Sequence, residues 1–229
     1  MIIAIDTGGT KTLLAGFSKE GKVLKSFEFE TPKSKSKYLE IIEKIIKKEF
    51  SKELKNNQIE NDANLAGLFE SKKFKNKAQN ILYVTLSTGI GSGIIIDGKI
   101  NHGLKNSEIG RIPIEFDGRI REWEDFASAR AIFNVYGKYA KDITNPRHWK
   151  HIADRVARGF LVIIPIIQPD VIVVGGSLGE NFEKFDLFLK RILAENLPSG
   201  IVCPEIVKAE KPREAVIYGC FEFAKALDF

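Results

Sequence analysis

The chain has 229 residues, 44% of them hydrophobic, 28% charged and 10% aromatic, which supplies a sizeable core and excludes both a disulfide-stapled miniature and a disordered tail. A net charge of +5 raises nucleic acid as a partner, but the lysines gather at 33, 35 and 37 and at 72, 73, 75 and 77 without an interleaved aromatic stripe and read as solvated loop charges. The longest apolar run, residues 160–167, is far short of the about 20 residues a membrane span needs. Two cysteines, Cys203 and Cys220, make no framework, and the start, Met1-Ile2-Ile3-Ala4-Ile5-Asp6, shows no basic leader. A cytoplasmic protein with no membrane and no nucleic-acid partner is therefore expected.

In chain order, residues 2–6 form an apolar run ending at Thr7-Gly8-Gly9-Thr10, a second run follows over 13–17, and 23–30 alternates. Short runs separated by glycine turns predict a three-stranded antiparallel meander. From Tyr38 the apolar positions are 38, 41, 42, 45, 46 and 50, with lysines opposite, which is one face of a helix. Asn56-Asn57 breaks it, and Asp62 is placed as the cap of a short helix beginning near Ala63. Apolar residues 81–86, a glycine turn over 87–93 and apolar residues 94–96 then repeat the opening hairpin, with Thr7-Gly8 falling on Thr88-Gly89. Further helices are expected over about 124–136, 147–165 and 181–195, strands over 171–174 and 201–207, and a last helix from Arg213. This order implies an α/β protein of two lobes sharing a cleft: a small one over 1–79, joined by the helix 213–229, and a larger one over 80–212.

Glycine after a strand permits a turn at positive φ and close approach of a ligand, and successive N–H groups in such a bend form an anion site. Asp6-Thr7-Gly8-Gly9-Thr10-Lys11 adds a carboxylate and an ammonium to one bend, and Ser87-Thr88-Gly89 adds hydroxyls to another. Facing each other, with a carboxylate holding magnesium through water, such bends suit a nucleoside triphosphate. The strand 171–174, ending in Gly175-Gly176-Ser177, suits a flat base or ribose laid against backbone. Each element is weak alone, and the three in order with repeat symmetry carry the reading. Neither a G-x-x-x-x-G-K-[ST] string nor a helix-opening G-x-G-x-x-G is present, which argues against a P-loop or Rossmann site. Glu60-Asn61-Asp62-Ala63-Asn64, between the hairpins, fits two roles equally. It is either a helix-capping cluster or a pair in which Asp62 takes the proton of a substrate hydroxyl that Asn61 orients.

These residues resemble the ROK family of sugar kinases (repressors, open reading frames and kinases) in the actin-like ATPase superfamily. The resemblance rests on Asp6-x-Gly8-Gly9-Thr10-Lys11, Glu60-Asn61-Asp62-Ala63-Asn64, Ser87-Thr88-Gly89-Ile90-Gly91-Ser92-Gly93 and Asp97-Gly98. Glu108-Ile109-Gly110, Glu124-x-Phe126-Ala127-Ser128 and Val173-Val174-Gly175-Gly176-Ser177 follow in family order. It implies a two-lobed actin-like ATPase (ribonuclease H-like) fold, here with a reduced N-terminal lobe. It further implies transfer of the γ-phosphoryl group of ATP to a sugar hydroxyl, a hexose first of all, by a homodimer. By the same resemblance Asp62 is the catalytic base, and Asn61, Glu108 and Glu124 bind sugar hydroxyls. Gly8, Gly9, Thr10, Lys11, Thr88 and Gly89 line the phosphates, Asp6 serves magnesium through water, and Gly175 and Gly176 meet the nucleoside.

Two departures from the family stand out. Where the family has a histidine after Glu-Ile-Gly and then a cysteine string that binds a structural zinc, this chain has Arg111, and Glu115, Asp117 and Glu122. No zinc site is expected, because thiolate and imidazole ligands are what close one. Either Arg111 replaces the metal as the local cation, paired with some of those carboxylates, or these are unpaired surface charges, the reading that the small worth of exposed pairs favours. The family histidine also touches the sugar, so Arg111 stands in the substrate-binding set. The second departure is a deletion: only residues 50–59 bridge from the first helix to the Glu-Asn-Asp string, so the small lobe is reduced and one sugar wall is thinned. The alternative to a kinase is thus a non-catalytic nucleotide- or sugar-binding protein on the same fold. A DNA-binding repressor is not expected, since the sequence begins directly with the first strand. His148 and His151 read as helix-surface residues, His102 as a loop residue, and Trp123 and Trp149 as packing anchors.

Overall fold

The computed structural model describes residues 1–50 and 58–227. Three strands, β1 (Ile2–Thr7), β2 (Lys11–Phe17) and β3 (Val23–Glu30), form the expected antiparallel meander in the order β1-β2-β3. The amphipathic segment folds as α1 (Lys35–Ile45), capped by the Ser34 hydroxyl, with a wider last turn over Ile46–Phe50. Its apolar face, Ile42, Ile46 and Phe50, closes on Leu14 and on Phe27 and Phe29 of the small sheet. The helix break placed at Asn56-Asn57 lies outside the described residues.

Helix α2 (Asp62–Ser71) follows, then β4 (Asn80–Leu86), β5 (Ile90–Ile96) and the short β6 (Lys99–Ile100). With β9 (Val171–Gly175) and β10 (Glu205–Lys208) they form a five-stranded sheet in the order β10-β9-β4-β5-β6. β9 runs parallel to both β4 and β10 and is buried along its whole length, as a continuous apolar run in the middle of a sheet should be. Strand alternation divides the core in two. Leu82, Val84 and Leu86 with Ile172 and Val174 face the helices α3 (Trp123–Ala127), α5 (Pro146–Ile167) and α7 (Asp186–Asn196). Ile81 and Tyr83 with Val171 and Val173 face α2 and α8 (Ala215–Ala226). Because Ala63, Ala66 and Leu68 pack on this sheet, the expected lobe division at 79/80 cuts through a packed layer. α8 touches both sheets: Ile217 and Phe221 also close on Ala4, Ala15 and Phe17.

Several local expectations are corrected. Asn61, not Asp62, caps α2; its Oδ1 accepts from the N–H of Ala63 at 2.8 Å and of Asn64 at 3.3 Å. The second glycine turn is only Ser87-Thr88-Gly89, because β5 begins at Ile90 and its glycines let α2 lie close to the sheet. The helix expected over 124–136 is two, α3 and α4 (Ala129–Tyr136), separated by Ser128, which caps α4 through its hydroxyl. The helix expected over about 181–195 starts only at Asp186 as α7, because α6 (Gly176–Gly179) ends before it and a tight turn at Phe182–Lys184 takes its first residues. The strand expected over 201–207 shrinks to β10, which starts after Pro204.

Between β6 and α3 the chain makes a hairpin that pattern reading did not anticipate, β7 (Pro113–Phe116) with β8 (Arg119–Glu122). Asp117 (φ 53°) and Gly118 (φ 73°) both occupy the left-handed region, as a two-residue hairpin turn demands. Arg111 does not pair with Glu115, Asp117 or Glu122; its carboxylate partner is Glu108, with Nε 3.9 Å from Oε2. Ring packing holds the hairpin instead. Phe116 stacks on Phe126 with centroids 4.3 Å apart and planes within 2° of parallel. The Arg155 guanidinium lies 4.8 Å from the Phe116 centroid and donates to the Phe126 carbonyl at 2.9 Å. Trp123 and Trp149 are buried anchors whose indole N–H groups donate to the carbonyls of Arg155 and Ile143, each at 3.1 Å. Phe116→Ala should cost about 3–5 kcal/mol of stability, measured as the shift in a denaturant unfolding curve; a loss below 1 kcal/mol would show that the stack does not hold the hairpin.

Candidate active site

Two carboxylates from opposite sides of the cleft define the site. Asp6 stands near the end of β1 and Asp62 opens α2. Burial first, and then the nearby Asp62 carboxylate, raise the Asp6 carboxyl above its ordinary range. Asp62 Oδ1 accepts the N–H of Ala63 at 2.8 Å, which fixes the carboxylate on the first helical turn and leaves Oδ2 for another donor. Asn61 spends its oxygen on the cap, so its side-chain amide is left to donate. Glu60 accepts from the Asn61 N–H and from Asn64 Nδ2, both at 2.9 Å, and Asn64 Nδ2 also donates to the Lys105 carbonyl at 2.9 Å. The string Glu60–Asn64 is thus a capping cluster, and its Asp62 lies near Asp6.

The first glycine bend is closed by the N–H of Gly8 donating to the Lys11 carbonyl at 2.9 Å. Neither Gly8, Gly9 nor Gly89 has positive φ, so conformational freedom is not why they are glycine. Two residues missed in the sequence brace this bend. The Thr31 hydroxyl donates to the Gly8 carbonyl at 2.7 Å, and the hydroxyls of Thr7 and Tyr38 lie 2.6 Å apart. Tyr38 registered only as an apolar position of α1, because periodicity does not show where a hydroxyl ends up. Lys11 reaches Glu28 across the sheet surface, with both side chains exposed. Among the described residues, the N–H groups of Gly9 and Thr10 on this bend, and of Thr88 and Gly89 on the second, have no acceptor. Unpaired, accessible amides of this kind fit phosphate oxygens.

Glu124 closes the other side. Its Oε2 accepts the Ile90 N–H at 3.1 Å, its Oε1 lies 3.9 Å from Arg130 Nη2, and the carboxylate sits against Gly89 and Gly110. Gly110 belongs to the tight turn Ile109–Arg111, so the backbone of that turn lies against the Glu124 carboxylate. Glu108 and Arg111 are 68% and 66% exposed and answer mainly to each other. Gly175 and Gly176 are buried; side chains there would collide with the Tyr83 hydroxyl and the Leu86 backbone, and Gly176 also turns the chain at φ 79°. Beyond them opens a groove of about 310 Å³ lined by Glu180, Lys211, Pro212 and Arg213, at the C-terminal ends of β9 and β10, where open α/β sheets bind their ligands. His148 stacks on Tyr136 at 4.4 Å. Among the described residues no three metal-ligating side chains are grouped to hold an ion, and no helix is long and apolar enough to cross a membrane. The Asp6 and Asp62 pair nevertheless fits magnesium, which takes one or two carboxylates and fills its remaining positions with water and phosphate.

This architecture, two lobes with glycine hairpins on either side of a carboxylate-bearing helix, is the actin-like ATPase fold with a reduced N-terminal lobe. A ROK family model matches residues 42–226, and the chain belongs to the ROK family. A ROK family glucokinase from Streptomyces griseus, solved with glucose and AMPPNP, superposes with a TM-score of 0.78 at 19% identity over 98% of this chain and 99% of that one. In sequence the chain is 29% identical over 181 residues to an uncharacterised protein of Clostridium perfringens, covering 70% of this chain and 59% of that protein. It is 33% identical over 136 residues to a fructokinase of Zymomonas mobilis, covering 53% of this chain and 45% of that protein. The matched region thus spans less than two thirds of either curated relative.

The Asp6 carboxyl titrates above its ordinary range, so its ionised form opposes folding. Its favourable contribution is complete below the unfolded carboxyl value and is lost as pH rises through the raised folded one. In metal-free buffer Asp6→Asn should therefore melt higher than the parent at pH 7, the two curves converging in acid. Equal melting temperatures at both pH values would show that burial and Asp62 together do not raise the Asp6 carboxyl.

Proposed function

We propose that this chain is an ATP-dependent sugar kinase that transfers the γ-phosphoryl group of ATP to a sugar hydroxyl, a hexose first of all. The observation that carries the reading is Asp62, fixed at the start of α2 and close enough to Asp6 to perturb it. Asp62 Oδ2 accepts the proton of the acceptor hydroxyl, and the Asn61 side-chain amide donates to the same oxygen or its neighbour and aligns it. Glu124 Oε1, Glu108 and Arg111 bond the remaining hydroxyls from the facing wall. The amides of Gly9, Thr10, Thr88 and Gly89, with Gly8 shaping the first bend, hold phosphate oxygens. Lys11 exchanges Glu28 for phosphate, since an exposed pair of that kind is weakly held. Asp6 holds magnesium through water; bound there, the ion neutralises charge on the transferred group. The nucleoside lies beyond the Gly175-Gly176 bend, in the groove beside Glu180 and Lys211. What supports this assignment is the order of the same elements in the family and the fructokinase and glucokinase names among the similar proteins.

The exposure of Glu108 and Arg111 favours one second reading. An acceptor wall so open also suits a protein that binds nucleotide or sugar without turning it over. A coupled ADP-release assay across hexoses and N-acetylhexosamines separates the two. In the kinase reading Asp62→Asn lowers kcat at least about 10²-fold with nucleotide affinity little changed. A variant as fast as the parent would remove Asp62 from the role of base, and a parent that releases no ADP with any sugar would favour the second reading.

A further inference from the structure

Glu70 is a carboxylate that the chemistry above does not use. It lies on the last full turn of α2, only 3% exposed, where burial raises its carboxyl above the ordinary range. Its two oxygens accept the backbone N–H groups of Glu210 and Lys211, both at 2.9 Å, from a segment 140 and 141 residues away in the chain. The partners are placed where α8 begins. The carbonyl of the same Lys211 accepts the N–H groups of Glu214 at 3.0 Å and Ala215 at 2.9 Å, so the entry turn of α8 hangs on the residue that Glu70 holds.

Below that clamp, α8 is pressed against α2. A side chain at Gly219 would collide with the Leu65 carbonyl, and Tyr218 stacks on Phe69 with centroids 5.1 Å apart. The Lys211 ammonium lies 4.2 Å from the Tyr218 ring centroid, which joins the clamp to this stack. The same helix carries the small lobe: Phe221 stacks on Phe17 of β2 at 5.1 Å, Tyr218 meets Phe17 edge-on at 5.7 Å, and Cys220 lies beside Ile5 and Asp6 of β1. A continuous packed path therefore runs from Asp62 along α2 to Glu70, across to α8, and back through the small sheet to Asp6.

We propose that Glu70 is a positioning residue for phosphoryl transfer: by clamping the entry of α8 to α2 it sets the separation between Asp6 and Asp62. The proposal rests on the kinase reading above. Its physical basis is that the carboxylate offers a separate oxygen to each of the two N–H groups. Glutamine keeps one acceptor and turns an N–H donor toward the other amide. Displacement of a reacting group by about 1 Å costs up to about 10²-fold in rate.

The test uses the full chain with Glu70→Gln and, as the harsher change, Glu70→Ala. Three readouts are taken: steady-state kinetics, amide hydrogen exchange over 210–226, and calorimetric binding of AMPPNP with magnesium. Glu70→Gln should stay folded and lower kcat about 10- to 10²-fold with the sugar KM within about twofold. The amides of Glu210 and Lys211 should exchange faster, and AMPPNP, which both lobes must grip, should bind at least several-fold more weakly. Faster exchange with kcat and AMPPNP affinity unchanged would make Glu70 merely structural and overturn the proposal, as would no change in any readout. If the parent itself phosphorylates no sugar, the kinase reading fails and the proposal falls with it; an active parent whose Glu70→Gln variant keeps its kcat overturns the proposal alone. If Glu70→Ala does not fold, Glu70→Gln alone carries the decision.

Discussion

The close docking of α2 between the five-stranded sheet and α8 is the constraint on which the rest depends. On one side Gly93 brings β5 against the backbone of Ala63 and Asn64, and on the other Gly219 brings α8 against the backbone of Leu65. With any side chain at these positions the helix would have to withdraw, and its first residue, Asp62, would withdraw with it. The polar residues flanking that start are consumed in holding it. Asn61 caps the turn, Glu60 is bonded to Asn61 and Asn64, and Asn64 ties the helix to the loop at Lys105. Chemistry at this site is thus a property of one helix end that three other elements immobilise.

That immobilisation works against a repulsion. Asp6 and Asp62 are brought together by apolar contacts remote from either carboxylate: Phe17 on Phe221, Ile217 on the small sheet, and the aliphatic face of α2 on β4 and β5. Packing at a distance holds like charges where, left to themselves, they would separate, a familiar arrangement where a cation is to be bound or a proton moved. The glycine bends show the same economy of parts. Among the described residues each bend has accessible N–H groups without partners and one backbone group bonded from outside: the Gly8 carbonyl accepts from Thr31, and the Ile90 N–H after Gly89 donates to Glu124.

Strand and helix periodicity carried most of the architecture, including the strand bounds of the small sheet, because those elements have one buried face and one wet one. The failures have physical causes. Ser128 ends one helix and caps the next within an apolar stretch, so the period continues across a break. The hairpin over 113–122 is too short and too exposed to show alternation, although Asp117-Gly118 carried its turn signal. At the site, Asp6, Asn61, Asp62 and Glu124 were legible as motif residues, but what each spends its atoms on was not. Asn61 commits its oxygen to a cap, and Arg111 turns to Glu108 rather than to the hairpin. Glu70 gave no signal at all, since a carboxylate in a helix is ordinarily a solvated one, and its partners are backbone groups that sequence does not label.

The stacked pair Phe116 and Phe126, with Arg155 across the ring, has a consequence for where this fold can persist. Aromatic faces and a guanidinium carry no thiolate for peroxide to attack and no coordination sphere for a competing chelator to empty. Thiol oxidation and metal chelation therefore have no purchase on this stack, which rests on ring contact that water itself enforces and on the Arg155 guanidinium.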